Sequence, residues 1–167
     1  MAPAVDFDRP TDADHEAIVR RIDDWAGGRK ARHLVPRLWF RHFTGMSWAA
    51  RLDPGGRVAG VAIGIVSPDE PTTAILHLVA VDPAHRRGGI GRELVDRFVG
   101  DARAAGARRV LTTAWPDDRP TLRFLEAVGF SLVAPPDRQR LYGTPAIADY
   151  DEPGDDRAEL ERSIAPD

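Results

Sequence analysis

Arg86, Arg87, Gly88, Gly89, Ile90 and Gly91 fall within one short run, His85 to Leu94, "HRRGGIGREL". The run follows an apolar stretch, "AILHLVAV", and precedes residues with helical spacing. A strand that passes through a glycine-rich turn into a helix leaves backbone N–H groups unpaired at the helix start, along the positive end of its dipole. Such a turn binds anions. Glycine lets a phosphate approach the backbone, and Arg86 and Arg87 add charge at the rim, so a pyrophosphate suits this stretch. The other reading is that the glycines only turn a corner. Two different phosphate loops are excluded. The Walker pattern needs Gly-Lys-Ser/Thr, and neither Lys-Ser nor Lys-Thr occurs; the dinucleotide fingerprint needs a third glycine where Leu94 stands.

The elements that must hold this run can be read on either side of it. Val5 to Asp8 has strand character, and Thr11 with Asp14 has capping-box spacing ahead of a helical stripe of Ile18, Val19 and Ile22 that stops at Gly27-Gly28. "HLVPRLWFRHF" reads as a second helix with Pro36 in its first turn and Leu34, Leu38 and Trp39 facing inward. Three strand-like runs follow, Met46 to Leu52, Val58 to Val66 and Thr72 to Val81, the first two joined by the tight-turn sequence "DPGG". The run "VAGVAIGIV" is apolar on both faces and so belongs centrally in a sheet.

From Gly89 to Ala105 the residues Ile90, Leu94, Val95, Phe98, Val99 and Ala102 form one helical stripe, ended by Gly106. "RRVLTTAW" is then a buried strand, "DDRPTLRFLEAVGF" a short helix capped at Gly129, and "FSLVA" a further strand. Two segments qualify as the last strand, "QRLYG" and "RAELERSI", and the later one is favoured. The order of elements predicts a mixed α/β fold.

With 167 residues the chain suits a single domain, 1–167, able to bury roughly 70% of its unfolded surface. A net charge of −3 gives no general attraction to nucleic acid. No apolar run approaches the roughly 18 residues of a membrane span. The N-terminal sequence lacks the basic-then-apolar order of a signal peptide, so a cytoplasmic location is expected, with no membrane partner. The absence of cysteine excludes disulfides and cysteine nucleophiles, and the histidines show no metal-ligand spacing, so no metal is expected.

The stretch "VAVDPAHRRGGIGRELVDRF", followed after a strand by "RFLEAVGF", resembles the GCN5-related N-acetyltransferases (GNAT). Their hallmark of Gln or Arg, two residues, Gly, one residue, Gly or Ala is met by Arg86, Gly89 and Gly91, and the Val81-Asp82-Pro83 entry and the Gly129-Phe130 close also match. The resemblance is strongest over 72–130. "DDWAGGR" and "DYDEPGDDR" resemble one bacterial subgroup. It implies a mostly antiparallel twisted sheet of about six or seven strands flanked by about four helices. Acetyl-coenzyme A is implied as donor: the amides of Arg87 to Gly91 would hold the pyrophosphate, and backbone groups of Val79 and Val81 would pair with the pantetheine arm like an added strand. Also implied are direct acetyl transfer to a small-molecule amine and, as is common in the family, a homodimer.

Such transfer needs a base for the ammonium. His77 precedes Val79 and Val81 by two and four residues, which on a regular strand places all three on one face. In arylalkylamine acetyltransferases of this family a histidine at this place takes the proton; the alternative is a hydrogen-bonded core histidine. Many members carry an Asn that bonds the cofactor arm and, seven residues later, a Tyr that protonates the leaving thiol. Here those positions are Asp118 and Leu125. Asp118 can still accept a hydrogen bond from the arm, or it caps the helix. Leu125 has no proton to give, which keeps a non-catalytic coenzyme A-binding module open as an alternative, beside a protein N-terminal or lysine acetyltransferase. For the acceptor side the candidates are Trp25 and Arg29, with Trp39, Phe40 and Phe43; aromatics at helical spacing serve equally as core.

Overall fold

The computed structural model describes residues 4–165. Strand β1 (Val5–Asp8) leads into helices α1 (Asp12–Val19) and α2 (Ile22–Trp25), then a 3₁₀ turn (Arg32–Leu34) and α3 (Leu38–His42). Strands β2 (Trp48–Leu52), β3 (Val58–Val66) and β4 (Thr73–Val81) form the expected meander. Helix α4 (Ile90–Ala104), β5 (Arg109–Ala114), α5 (Arg119–Ala127) and β6 (Ser131–Leu132) follow. A small hairpin of β7 (Arg140–Leu141) and β8 (Thr144–Pro145) precedes β9 (Ala158–Ser163). The seven-stranded sheet runs β1-β2-β3-β4-β5-β9-β6 and is antiparallel except at β4–β5. Of the two candidates for the last strand, it is the later one that joins the sheet, between β5 and β6; the earlier one makes only the hairpin.

The sheet carries a core on each face. All six residues of the α4 stripe are buried, together with Ala59, Ala62 and Leu76 from the sheet. On the other face Ile18, Ile22, Trp25, Val35 and Phe40 meet Val58, Val61 and Ile63. Strand β3 is therefore enclosed on both sides, as its unbroken apolar run requires.

Helix α4 seats very close to the sheet. A Cβ on Gly64 would lie 2.3 Å from the Phe98 ring and 2.4 Å from the Ile75 carbonyl oxygen, so only glycine fits.

The segment around Pro36 differs from the expected single helix. Val35 sits at φ −124°, ψ 50°, because a residue before proline is pushed out of the helical region. The chain breaks there into the 3₁₀ turn and the five-residue α3, and Leu38 points outward at 53% exposure while Phe40 turns inward. Among the described residues five α-helices flank the sheet, in keeping with the expected count of about four, the first stripe dividing between α1 and α2.

One charged cluster is sealed beneath α1. Both terminal nitrogens of Arg51 lie 2.8 Å from the carboxylate of Asp14, and its Nε lies 2.8 Å from Asp8. Asp14 also accepts from the Thr11 N–H at 2.6 Å, the helix-capping contact that the spacing predicts.

Candidate active site between β4 and β5

Strands β4 and β5 pair only from Thr73 to Ile75 and then part. At the root of the gap the Thr112 hydroxyl donates to the Leu76 carbonyl at 2.7 Å. Further out, the Asp82 N–H donates to the Ala59 carbonyl at 2.8 Å. In an antiparallel ladder alternate residues direct their polar groups to the same side. Leu78, Ala80 and Asp82 therefore face β3, and the backbones of Val79 and Val81 face the gap. This is a strand edge that β5 does not reach.

The edge runs directly into the glycine-rich loop. Asp82 is buried, pairs with Arg21 and accepts from the Ala84 N–H at 3.0 Å, fixing the single 3₁₀ turn Pro83–His85. Arg87 (φ 66°) and Gly89 (φ 84°) are both left-handed, and Gly89 is the N-cap of α4 with no side-chain capping bond. The first amides of α4 are thus left for an external acceptor. Gly91 serves close approach: a Cβ there would stand 3.0 Å from the Phe124 ring, which closes α5 onto α4.

Arg86 does something other than line the rim. Its Nε donates to the Val81 carbonyl at 3.0 Å and its Nη2 to the Trp25 carbonyl, so it braces the loop against the end of α2. Asp118 is occupied as the N-cap of α5, accepting from the Thr121 N–H (3.2 Å) and hydroxyl (2.7 Å). The capping role, one of the two readings of this residue, is the one the fold uses.

His77 is not on the face of Val79 and Val81. Ile63 is opposite Leu78 and Gly64 is opposite Leu76, so His77 is the extra residue of a bulge in β4. The bulge resets the alternation and turns His77 toward α3, where it stacks on Trp39 at 4.7 Å and 17°. Its Nε2 lies 2.7 Å from the Leu34 carbonyl. A carbonyl only accepts, so Nε2 carries the proton and Nδ1 keeps a free lone pair. Burial pushes the His77 pKa below its ordinary value; the Leu34 carbonyl and Asp151 oppose this, while Arg157 and His33 reinforce it. The shift favours the neutral, base form of the ring.

The other lip of the gap brings Arg29, an acceptor-side candidate from the sequence, together with Trp115, Asp155 and Arg157, which the sequence did not single out. Trp115, just past β5, lies under the guanidinium of Arg29 (5.2 Å to the ring centroid) and that of Arg157 (4.5 Å). Arg29 pairs with Asp117 at 3.1 Å, and the Trp115 Nε1–H points to Asp155 at 3.3 Å. The one signal in the sequence was a lone arginine at the end of an acidic run, just before an alternating strand.

The remaining candidates separate clearly. Trp25 is 4% exposed and Phe40 2%, so both belong to the core; Trp39 reaches His77, with Phe43 behind it at 5.2 Å. Leu125 is buried in the α4-side core. Tyr142 is exposed at the hairpin turn, and the Tyr150 hydroxyl donates to Glu159. A separate surface cleft of about 420 Å³ lies between α5 and the β7–β8 hairpin, where Arg119 is already tied to Thr144 and the Tyr142 carbonyl. Among the described residues no His, Cys, Asp or Glu group could hold a metal, and no helix is long and apolar enough to cross a membrane.

A free strand edge leading into an uncapped, glycine-rich helix start fits a long ligand with an amide-bearing arm and a pyrophosphate, which is the form of coenzyme A. These features define the acyl-coenzyme A-dependent N-acyltransferase fold. Residues 13–130 match the Acetyltransferase (GNAT) family, and the chain belongs to that family.

Among its relatives is the L-2,4-diaminobutyric acid acetyltransferase of Streptomyces coelicolor, 31% identical over 86% of this chain and 84% of the relative. The protein of the same name from Nocardia farcinica is 30% identical over 71% of this chain, a match that spans 60% of the relative's length. Diaminobutyrate acetyltransferase from Paenibacillus lautus, solved with L-2,4-diaminobutyric acid and coenzyme A, superposes with a TM-score of 0.71 at 21% identity, covering 99% and 98% of the two chains.

Proposed function

We propose that the protein transfers the acetyl group of acetyl-coenzyme A to an amine of a small molecule, and that the acceptor is a short diamino acid of the L-2,4-diaminobutyrate kind. The observation that carries this reading is the β4–β5 gap, with a free strand edge on one lip and aromatic and charged side chains on the other. The diaminobutyrate relatives support the choice of acceptor.

Bound acetyl-coenzyme A supplies the activated thioester. The backbone of Val79 and the N–H of Val81 would hold its arm, and the amides of Arg87, Gly88, Gly89, Ile90 and Gly91 would hold its pyrophosphate. Arg86 acts indirectly, by fixing the loop. His77 takes the proton of the acceptor ammonium on Nδ1, directly or through one water. As the N–C bond forms the C–S bond breaks, and the departing sulfur takes up the second proton that the acceptor nitrogen loses in becoming an amide, directly or through water, since Leu125 has none to give.

Mixing the protein with acetyl-coenzyme A and a panel of amines, with thiol release as the readout, tests the reading. Release with L-2,4-diaminobutyrate above other amines is the expected result; coenzyme A binding without release for any amine overturns it.

A second measurement isolates His77. Because its pKa is lowered, the base form persists to a pH below the ordinary histidine range, and kcat/KM falls only at more acid pH. His77→Gln is expected to reduce kcat by about 10²-fold and to remove that acid limb. A variant that keeps the limb removes His77 from the role.

A further inference from the structure

The acceptor lip contains a buried charge that the fold leaves incompletely met. Arg157 is 4% exposed. Its Nε lies 3.0 Å from Asp155 Oδ1 but without hydrogen-bond alignment, and its Nη2 has no hydrogen-bond partner among the described residues. The Asp155 Oδ2 is enclosed and unpartnered as well. Burying donors and acceptors without partners carries the full desolvation cost of each group, so such a pair calls for a ligand with matching charges.

The pair is held in place before any ligand arrives. The Arg157 N–H and carbonyl bond reciprocally with Ile147 at 2.9 and 2.8 Å, and the Tyr150 N–H closes on the Asp155 carbonyl at 2.8 Å. The guanidinium lies against the Trp115 ring, on the far lip of the gap from Val79. Its charge is felt at His77, as is that of Asp151. One cation, one adjacent anion and the proposed base therefore share a neighbourhood.

We propose that Arg157 and Asp155 form the amino-acid end of the acceptor site, with the Arg157 Nη2 receiving the α-carboxylate and the Asp155 Oδ2 the α-ammonium. This rests on the reading of the β4–β5 gap as the acceptor site. A free carboxylate beside an ammonium meets both orphaned atoms at once, which a simple diamine does not. The pair thus gives the diamino-acid reading of the acceptor a basis in two side chains of this chain.

Calorimetry on the full chain, with L-2,4-diaminobutyrate and with 1,3-diaminopropane, tests this without the donor. The second compound has the same carbon spacing between its amines and no carboxylate. The wild-type protein is expected to bind the amino acid at least about tenfold more tightly, and Arg157→Gln to lose most of that preference by weakening the amino acid and not the diamine.

Equal binding of the two by the wild type, binding of neither, or an Arg157→Gln variant that weakens both alike overturns the proposal; a water that merely fills the site gives the first of these. If Arg157→Gln fails to fold, L-2,4-diaminobutyramide on the wild type replaces it: the amide is expected to bind at least about tenfold more weakly than the acid, and equal binding overturns the proposal. Failure of acetyl transfer is read separately, by thiol release.

Discussion

Gly64→Val lowers the melting temperature by about 6–12 °C, a loss of about 3 kcal/mol, as measured by thermal unfolding. A new Cβ would overlap the Phe98 ring on one side and the Ile75 carbonyl on the other, and neither can retreat. Phe98 is fully buried on the inner face of α4, and Ile75 is in the last residue pair that joins β4 to β5. Gly64 is also the residue opposite the bulge, so pushing α4 outward disturbs the loop at its N-terminus as well as the core. The control is Gly100→Ala. On the exposed side of the same helix a Cβ at position 100 meets nothing within 4 Å, and this substitution is expected to stabilise by about 0.5–1 kcal/mol. Equal effects from the two substitutions would show that close approach of α4 does not matter.

Arg51→Met destabilises by about 3–5 kcal/mol at pH 7, because it strands the carboxylate of Asp14 inside the protein. Burial by itself raises the Asp14 pKa, but the bonds from Arg51 and Thr11 outweigh it and hold the group below its ordinary value. A lowered folded-state pKa contributes stability that is fully present above the ordinary carboxylate value and is lost as pH falls through the folded one. Without Arg51, burial dominates and Asp14 takes up its proton at higher pH, so falling pH relieves the stranded charge in the variant while the wild type loses the contribution of its ion pair. Urea denaturation at several pH values checks this: the gap between wild type and variant should narrow steadily below pH 4–5. A gap of constant size would mean that Arg51 acts through packing alone.

Helix α4 was legible in the sequence because its stripe has a single solution. All six apolar positions repeat at helical spacing, and all six are buried. The loop was legible for a related reason, since strand, glycines and helix must follow one another for the amides to point outward. The bulge at His77 was not. "TAILHLVAV" is almost wholly apolar, so alternation carries no signal along it, and the extra residue shows only when β4 is counted against β3. That single residue moved His77 to the opposite face from the one expected. Leu38 was misplaced because the restriction that proline imposes on Val35 outweighed the apolar pattern. Arg157 was hidden because its significance lies in what does not bond to it, and unmet hydrogen bonding has no sequence pattern.

Two side chains tie the glycine-rich loop to the first helices: Arg21 reaches from the start of α2 to Asp82, and Arg86 reaches back to the Trp25 carbonyl at its end. Segments joined at both ends open together, since neither can leave its place without releasing the other's contacts. The stretch from Arg21 to Trp25 and the stretch from Asp82 to Arg86 therefore behave as one cooperative unit in local unfolding. The donor loop takes its rigidity from helices that lie on the opposite face of the sheet from α4.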